Sequence, residues 1–344
     1  MSQLLPWRPK PFDDELLSSW LRRVAYGNSS KLHTFCHLKW PVLQIWNRDL
    51  DSLGSQSFIN DLCLMTGTTE KRGHATSLRS LEGIVIDRLR LTGLTRWILP
   101  LGIYHRTRRR SGQQWCPSCL KEGKAPYYRR AWRLGFSTTC SRHGYVLADR
   151  CHQCAQPASP HRGEDPYCNH CSTDRRDHPT TFGDALTLQL EHRMRATWLG
   201  PPSAMPELGC GHPLSYFALV RQILGIVTSN PRASRLRDVV CRQHGLDSAP
   251  PLFESKLPMP EFLSVVERHR MMAIVARLLQ GWPFKFAAFC AEAGMWRSWA
   301  VRGNSGVLPF AYDAVIDTYL TSPDAPPRKL KSVTLLAPPT VVLE

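Results

Sequence analysis

The chain has 344 residues, 42% of them hydrophobic, and it carries a formal net charge of +16 at pH 7. This length allows two or three compact units with buried cores, and the hydrophobic content excludes a disordered chain. No apolar run reaches the roughly 18 residues that span a bilayer, and the N-terminal stretch has no signal-peptide pattern, so we expect a cytoplasmic protein without a membrane partner.

Residues 1–105 are predicted to form an N-terminal helical domain. Two aspartates at positions 13 and 14 favour the start of a helix, and apolar residues follow at helical spacing. A Gly-Asn pair at 27–28 should end this helix, and a serine at 29 or 30 should cap the next one, over residues 31–38. Two helices joined by a short turn with glycine outline a helix-turn-helix. Further helices are predicted over residues 55–66 and 77–91.

Residues 106–180 are predicted to bind metal and to contain little regular structure. Two ligands separated by two residues can reach one ion from a single tight turn, and four such knuckles occur here. The expected ligands are Cys116, Cys119, Cys140 and His143 for the first site, and Cys151, Cys154, Cys168 and Cys171 for the second. Four protein ligands leave no position for water, which indicates two structural zinc ions and not hydrolytic ones. In a reducing compartment, clustered cysteines favour metal over disulfides.

Other metal arrangements stay open at this point. The knuckles could pair in a crossed order, and an iron–sulfur cluster is a less favoured alternative. A third site would need Cys210, His212, Cys241 and His244, although the last two fit the end of a helix better.

More than half of the excess positive charge lies in residues 101–150, which overlap the metal-binding section. Residues 101–150 contain 11 Lys and Arg against two Asp and Glu, interleaved with Trp and Tyr. Arginine favours bidentate contact with phosphate, so this charge predicts DNA, RNA or an acidic protein as a partner. A solvated basic face is the alternative. The candidate binding residues are Arg106, Arg108, Arg109, Arg110, Arg129, Arg130 and Arg133.

Residues 181–325 are predicted to form a helical C-terminal domain, followed by a Pro-rich tail over 326–344. Apolar periodicity predicts helices over residues 181–200, 213–230, 259–281, 283–294 and 308–320. The expected fold class is therefore mainly α, with an N-terminal helix-turn-helix domain, central tandem zinc-finger modules and a helical C-terminal domain.

Signatures of common enzyme classes are missing from the sequence. It has no phosphate-binding loop with Gly-Lys, no dinucleotide fingerprint, no His-Glu-x-x-His and no Gly-x-Ser-x-Gly. Only Glu122 and Asp149 supply carboxylates within residues 101–150. A metal-dependent nuclease or recombinase core would need several carboxylates around Mg²⁺. The sequence therefore predicts a binding protein and not an enzyme.

The motifs together resemble the TniQ family of transposon target-selection proteins, which is related to the N-terminal part of TnsD. The stretch "RPKPFDDELLSSWLRRVA" resembles the opening pattern of the family. The stretches "CPSCLKEG", "YYRRAWRLGF" and "CSRHGYVL" resemble its first metal module, and "CHQC" with "CNHC" resembles its second. The resemblance extends over residues 5–175 and is faint beyond them, and the chain is shorter than TnsD-type members.

The resemblance implies a fold, a ligand set and partners. It implies a helix-turn-helix, two zinc-finger modules with the eight ligands named above, and a helical C-terminal half. It also implies an adaptor that recognises a target-site cue, either a CRISPR effector complex with its guide RNA or attachment-site DNA. Such an adaptor recruits an AAA+ regulator of the TnsC or TniB type, and through it the transposase. A homodimer and a nucleoid-associated location on target DNA are further expectations, and a DNA-binding transcription regulator is the alternative function.

Overall fold

The chain is mainly α-helical, as predicted. The computed structural model describes residues 4–43, 48–90, 92–101, 112–122, 125–158, 166–201, 205–228, 234–247, 259–301 and 307–321. Within these ranges there are 13 α-helices and isolated β-bridges but no β-strand. The helices are α1 (Leu17–Gly27), α2 (Leu32–Lys39), α3 (Leu50–Leu53), α4 (Gln56–Thr66), α5 (Glu70–His74), α6 (Pro117–Lys121), α7 (Ala185–Leu199), α8 (Pro213–Thr228), α9 (Ser234–His244), α10 (Val265–Leu279), α11 (Phe284–Glu292), α12 (Arg297–Ala300) and α13 (Phe310–Tyr319). Short 3₁₀ turns lie at Leu78–Leu81, Arg130–Arg133, Arg175–Asp177, Pro206–Leu208 and Pro260–Phe262.

The first helices enclose a hydrophobic cluster of their own. It is built from residues between Leu5 and Met65. Helix α4 occupies the predicted span, because the Ser55 hydroxyl accepts a hydrogen bond from the Phe58 N–H at its start. It ends at Gly67, whose φ of 62° lies in the left-handed region that favours glycine.

A short turn joins α1 to α2, and the two helices pack against each other. Helix α1 ends at Gly27 as predicted, and the Asn28 side chain then fastens the turn to the N-terminal segment. Asn28 accepts a hydrogen bond from the Trp7 N–H (3.1 Å) and donates one to the Trp7 carbonyl (2.8 Å). The arrangement is compatible with a helix-turn-helix, whose DNA-binding role stays a prediction.

Three local expectations differ from the structure. The first helix begins at Leu17 and not near position 13, because Asp14 pairs with Arg129 and does not sit in the first turn. No serine caps α2, which follows Lys31. Residues 77–90 of the predicted helix over 77–91 form a single 3₁₀ turn and a loop, since Glu82 accepts a hydrogen bond from the Leu89 N–H and turns the chain back.

A second, larger hydrophobic cluster extends from Leu78 to Leu320 and also includes Leu16. Helix α10 packs against α8 and α7 at its centre. A capping box starts α10, in which Ser264 and Glu267 each accept a backbone N–H of the other. Helices α7, α8, α10, α11 and α13 lie within the predicted spans, whereas α9 lies outside them.

The larger cluster also contains three cysteines of the metal-binding section, Cys116, Cys119 and Cys140. The first metal module and the C-terminal helices therefore share one core. The predicted tail, 326–344, lies outside the described residues. In the part of the chain that is described, no helix is both long and apolar enough to cross a membrane.

Candidate metal centres and their supports

Four side chains converge in the first candidate centre, and they are the four that the spacing predicts. Sγ of Cys119 lies 3.5 Å from Sγ of Cys140, and Nδ1 of His143 lies 3.4 to 3.5 Å from the sulfurs of Cys116, Cys119 and Cys140. All four ligand atoms lie within 4.8 Å of one another. Zinc bonded to sulfur at about 2.3 Å in a tetrahedron requires sulfur atoms about 3.8 Å apart. The donor set therefore fits a tetrahedral ion.

Two tight turns place these ligands. Cys116 precedes α6, and Pro117 stands at the first position of that helix, where its missing N–H costs nothing. Cys140 begins the second turn, in which the Gly144 N–H donates to the Cys140 carbonyl (2.8 Å). Gly144 has a φ of 69°, so this turn requires glycine or considerable strain.

A carboxylate outside the ligand set holds His143. Nε2 of His143 lies 2.5 Å from an oxygen of Glu122, while Nδ1 faces the three sulfurs. A histidine that ligates through one nitrogen and donates from the other is fixed in tautomer and ring orientation. Glu122 also lies 3.3 Å from Arg142.

A buried carboxylate supports the same knuckle from α7. Glu191 accepts hydrogen bonds from the backbone N–H groups of Thr138 and Thr139, each at 2.9 Å, and from both threonine hydroxyls. Burial raises the pKa of Glu191, whereas these four hydrogen bonds stabilise its ionised form and lower the pKa. Because Thr139 directly precedes Cys140, this contact fixes a metal ligand to the C-terminal core.

The second candidate centre contains the other four predicted ligands. Sγ of Cys151 lies 3.6 Å from Sγ of Cys171, and Sγ of Cys154 lies 3.7 Å from Sγ of Cys168, again near the edge length of a zinc tetrahedron. This centre is more exposed, since Cys171 is on the surface and none of the four joins the larger core. The crossed pairing of knuckles is therefore not the arrangement that the structure shows.

The third site, which the sequence left open as an alternative, does not form among the described residues. The ligand atoms of Cys210, His212, Cys241 and His244 do not gather into a group there. The Cys210 thiol lies 3.6 Å from the Leu208 carbonyl and the Cys241 thiol 3.8 Å from the Asp247 carbonyl, as in buried structural thiols. Cys241 and His244 lie in the last turn of α9, as expected.

Three of the predicted binding arginines are buried, which corrects the expectation of an exposed basic surface at these positions. Arg133 has a fully buried side chain and pairs with Asp49 (2.6 Å) and Asp51 (2.8 Å). Arg129 pairs with Asp14 (2.5 Å). Arg130 donates to the Ser80 hydroxyl (2.9 Å) and lies over the Trp198 ring. The other predicted binding residues, Arg106, Arg108, Arg109 and Arg110, lie outside the described residues.

The segment that carries Arg129–Arg133 joins the first metal module to α1. The Tyr128 carbonyl accepts from the Leu16 N–H (2.9 Å), and the Tyr128 N–H donates to the Ser19 hydroxyl (3.0 Å). The ring of Trp132 is buried, as the sequence favours. Arg175, which follows the second centre, donates to the Tyr128 hydroxyl (3.1 Å). Both centres and the start of α1 therefore meet at this segment.

The sequence did not identify Glu122, Glu191 or Asp51 as supports of the site. Glu122 has a weak local signal, because it stands three residues after a ligand. Asp51 and Glu191 have none, since their partners lie 82 and 53 residues away in the sequence.

Residues 6–147 match the family model TniQ, and no curated protein matches the chain. The matched segment begins before α1 and ends just after the first metal centre, so it contains the joining segment and all four ligands of that centre. The second centre lies beyond it. The match agrees with the motifs that resemble the family. Residues 6–147, less than half of the chain, are therefore similar to the TniQ family, and the rest of the chain lies outside that match.

Proposed function

We propose that this chain is a non-catalytic adaptor of DNA transposition, which recognises a target-site cue and recruits an AAA+ regulator of the TnsC or TniB type. The TniQ match is the observation that carries the proposal. The cue is either a CRISPR effector complex with its guide RNA or attachment-site DNA. The chain would contact the target-site cue and the regulator, and the transposase would carry out the DNA strand transfer.

The proposal includes two structural zinc ions bound to the chain. Cys116, Cys119, Cys140 and His143 would hold one, and Cys151, Cys154, Cys168 and Cys171 the other. Thiolate and imidazole ligands favour zinc over the hard cations that carboxylates bind. Each set fills four positions, so the ions would stabilise the fold and leave no place for a reacting water.

The exposed side of the α1–α2 pair supports contact with an acidic partner. Residues 16–40 contain no Asp or Glu. Lys31, His33, His37 and Lys39 are all exposed along α2 or at its start. A helix with exposed lysines and no acid in its own segment of the sequence suits a phosphate backbone or an acidic protein surface. The ion pair between Arg129 and Asp14 and the hydrogen bonds of Tyr128 hold this pair of helices on the first metal module.

Co-purification tests the proposal. The tagged chain is mixed with the AAA+ regulator of its own transposon, ATP and duplex DNA, and the regulator of an unrelated transposon serves as the control. We expect capture of the cognate regulator and not of the control. Failure to capture it, together with specific binding of a promoter fragment by the chain alone, would indicate a transcription regulator instead.

A further inference from the structure

Three arginines are exposed in the loop that leads from the 3₁₀ turn at Leu78–Leu81 to the first metal module. Arg88 and Arg90 flank Leu89, which is buried. Both arginines are exposed while the leucine between them is buried, so both point away from the core. Arg96 is exposed as well and immediately precedes the buried Trp97. We call Arg88, Arg90 and Arg96 the loop arginines.

The loop folds back so that its two ends lie together. The Arg90 N–H donates to the Thr95 hydroxyl (2.9 Å), across a turn at Gly93 with a φ of 80°. This hydrogen bond places the start of the Arg90 side chain beside the segment that carries Arg96. The loop arginines therefore belong to one surface.

Trp97 anchors this surface firmly. Its φ is 69°, which is unusual for a bulky residue and is retained only where surrounding contacts enforce it. Its N–H donates to Glu261 (2.8 Å), its indole N–H donates to the Phe217 carbonyl (3.1 Å), and its carbonyl accepts from the Gly135 N–H (2.6 Å). These three hydrogen bonds hold the backbone next to Arg96 in place.

The buried carboxylate next to Trp97, Glu261, is shared among several donors. Glu261 accepts two hydrogen bonds from Arg221, at 2.7 and 2.8 Å, besides the one from Trp97. Partial burial lowers the pKa of the Arg96 guanidinium, the guanidiniums of Arg221 and Arg90 lower it further, and the Glu261 carboxylate raises it. Within the described ranges, neither Arg88 nor Arg90 forms an ion pair. Residues 79–110 contain eight arginines and two acids, and one of these acids, Glu82, accepts the N–H of Leu89 between Arg88 and Arg90.

From this geometry we infer that the loop arginines bind the phosphodiester backbone of duplex DNA. A cluster of exposed guanidiniums on a rigid base is suited to phosphate contact. Single-stranded nucleic acid would instead require exposed rings for base stacking, whereas Trp97, the one aromatic residue in positions 82–101, is buried. The inference rests on the proposed function only in that an adaptor at a target site works next to DNA.

Fluorescence anisotropy with a labelled 30-base-pair duplex tests the inference, using the full chain loaded with zinc. In the variant Arg88→Ala/Arg90→Ala we expect affinity to fall on the order of tenfold at 100 mM salt, and the slope of log K against log salt to decrease by about 2. The matched control is Arg235→Ala/Arg242→Ala on α9, which removes the same net charge from exposed positions. It should bind like the unaltered chain.

Each contrary outcome overturns the inference. If both double variants weaken binding equally, only net charge matters. If Arg88→Ala/Arg90→Ala binds the duplex with unchanged affinity and salt slope, or if the unaltered chain does not bind it, the surface serves another partner. A single-stranded 30-mer preferred over the duplex would assign the loop to RNA or to displaced DNA. Capture of the AAA+ regulator, measured without DNA, should persist in both variants, so a failure here is distinct from a failure of the proposed function.

Discussion

Arg133 and Asp51 form an ion pair that is completely withdrawn from solvent. Nη1 of Arg133 lies 2.8 Å from Oδ2 of Asp51, and both side chains have 0% exposure. Asp51 also accepts hydrogen bonds from the N–H and hydroxyl of Ser18, at 2.8 and 3.0 Å. Burial raises the pKa of Asp51, and Arg133 lowers it. The pair fastens α3 and α1 to the segment between the two knuckles of the first metal centre.

Replacement of Arg133 by methionine should therefore destabilise the fold strongly. Two carboxylates, Asp49 and Asp51, would lose their buried partner, and breaking such a pair costs about 3 to 5 kcal/mol in the free energy of unfolding. Urea denaturation followed by circular dichroism measures the change. Arg193→Ala is the control, since its pair with Glu207 (3.4 Å) is exposed on both sides and contributes less than about 1 kcal/mol. Equal midpoints for the two variants would contradict the role of the buried pair.

The two metal centres should respond differently to the loss of a ligand. Cys119 belongs to the larger hydrophobic core, whereas Cys171 is exposed. Zinc binding supplies folding energy on the order of 10 kcal/mol in small modules. We expect Cys119→Ser to lose the cooperative unfolding transition, and Cys171→Ser to keep its helical circular dichroism while losing one zinc of two.

Metal analysis and thermal melting check this difference. Chelator added to the unaltered chain should remove the metal of the second centre before that of the first, in two separable phases. Full zinc content and native melting in Cys119→Ser would contradict the assignment of the first centre as structural.

Glu122 should determine how tightly the first centre holds its ion. Removal of a carboxylate behind a ligating histidine typically reduces metal affinity 10- to 100-fold. Glu122→Ala should show this loss, and Glu122→Gln a smaller one, because an amide still accepts the hydrogen bond from His143. Competition with a chromophoric chelator measures both affinities. Equal affinities in the two variants and the unaltered chain would show that the 2.5 Å contact does not orient the ligand.

The ligands of both centres could be predicted because a metal knuckle is a local feature. The two-residue gap between Cys116 and Cys119, or between Cys140 and His143, lies within one turn of the chain and appears directly in the sequence. Helix α4 was predictable for the same reason, since its cap at Ser55 and its glycine end are local.

The burial of the basic residues could not be predicted from the sequence, because it depends on ion-pair partners that are far away along the chain. Arg133 stands in the most basic part of the sequence, which suggests a surface, yet its partners are 82 and 84 residues away. A run of arginines in the sequence shows how many guanidiniums a segment has. It does not show which of them form ion pairs with carboxylates in the folded chain. Arg88 and Arg90 show the converse, since they are sparse in the sequence and exposed in the structure.

His269 links α10 to the knuckle that carries Cys140, and it does so only as a neutral ring. Nδ1 lies 2.8 Å from the Thr138 hydroxyl, whose own hydrogen is donated to Glu191, so Nδ1–H is the donor. Nε2 accepts the N–H of Asp184 at 3.1 Å. A proton on Nε2 would point at that N–H, and the acceptor would be lost.

Stability should therefore fall as the pH drops from 7 to 4. Burial lowers the pKa of His269 from 6.5 to about 4, with Asp184 acting weakly in the opposite direction. Between these values the unfolded chain binds a proton that the folded chain does not, so unfolding becomes easier with falling pH, by up to about 3 kcal/mol at the lower end. His269→Gln should be less stable at pH 7 but should lack this loss. Urea midpoints at half-unit pH steps measure both curves, and other titrating groups contribute equally to each. The curves should converge toward pH 4, and parallel curves over that range would show that the ring is protonated as readily in the folded chain as in the unfolded one.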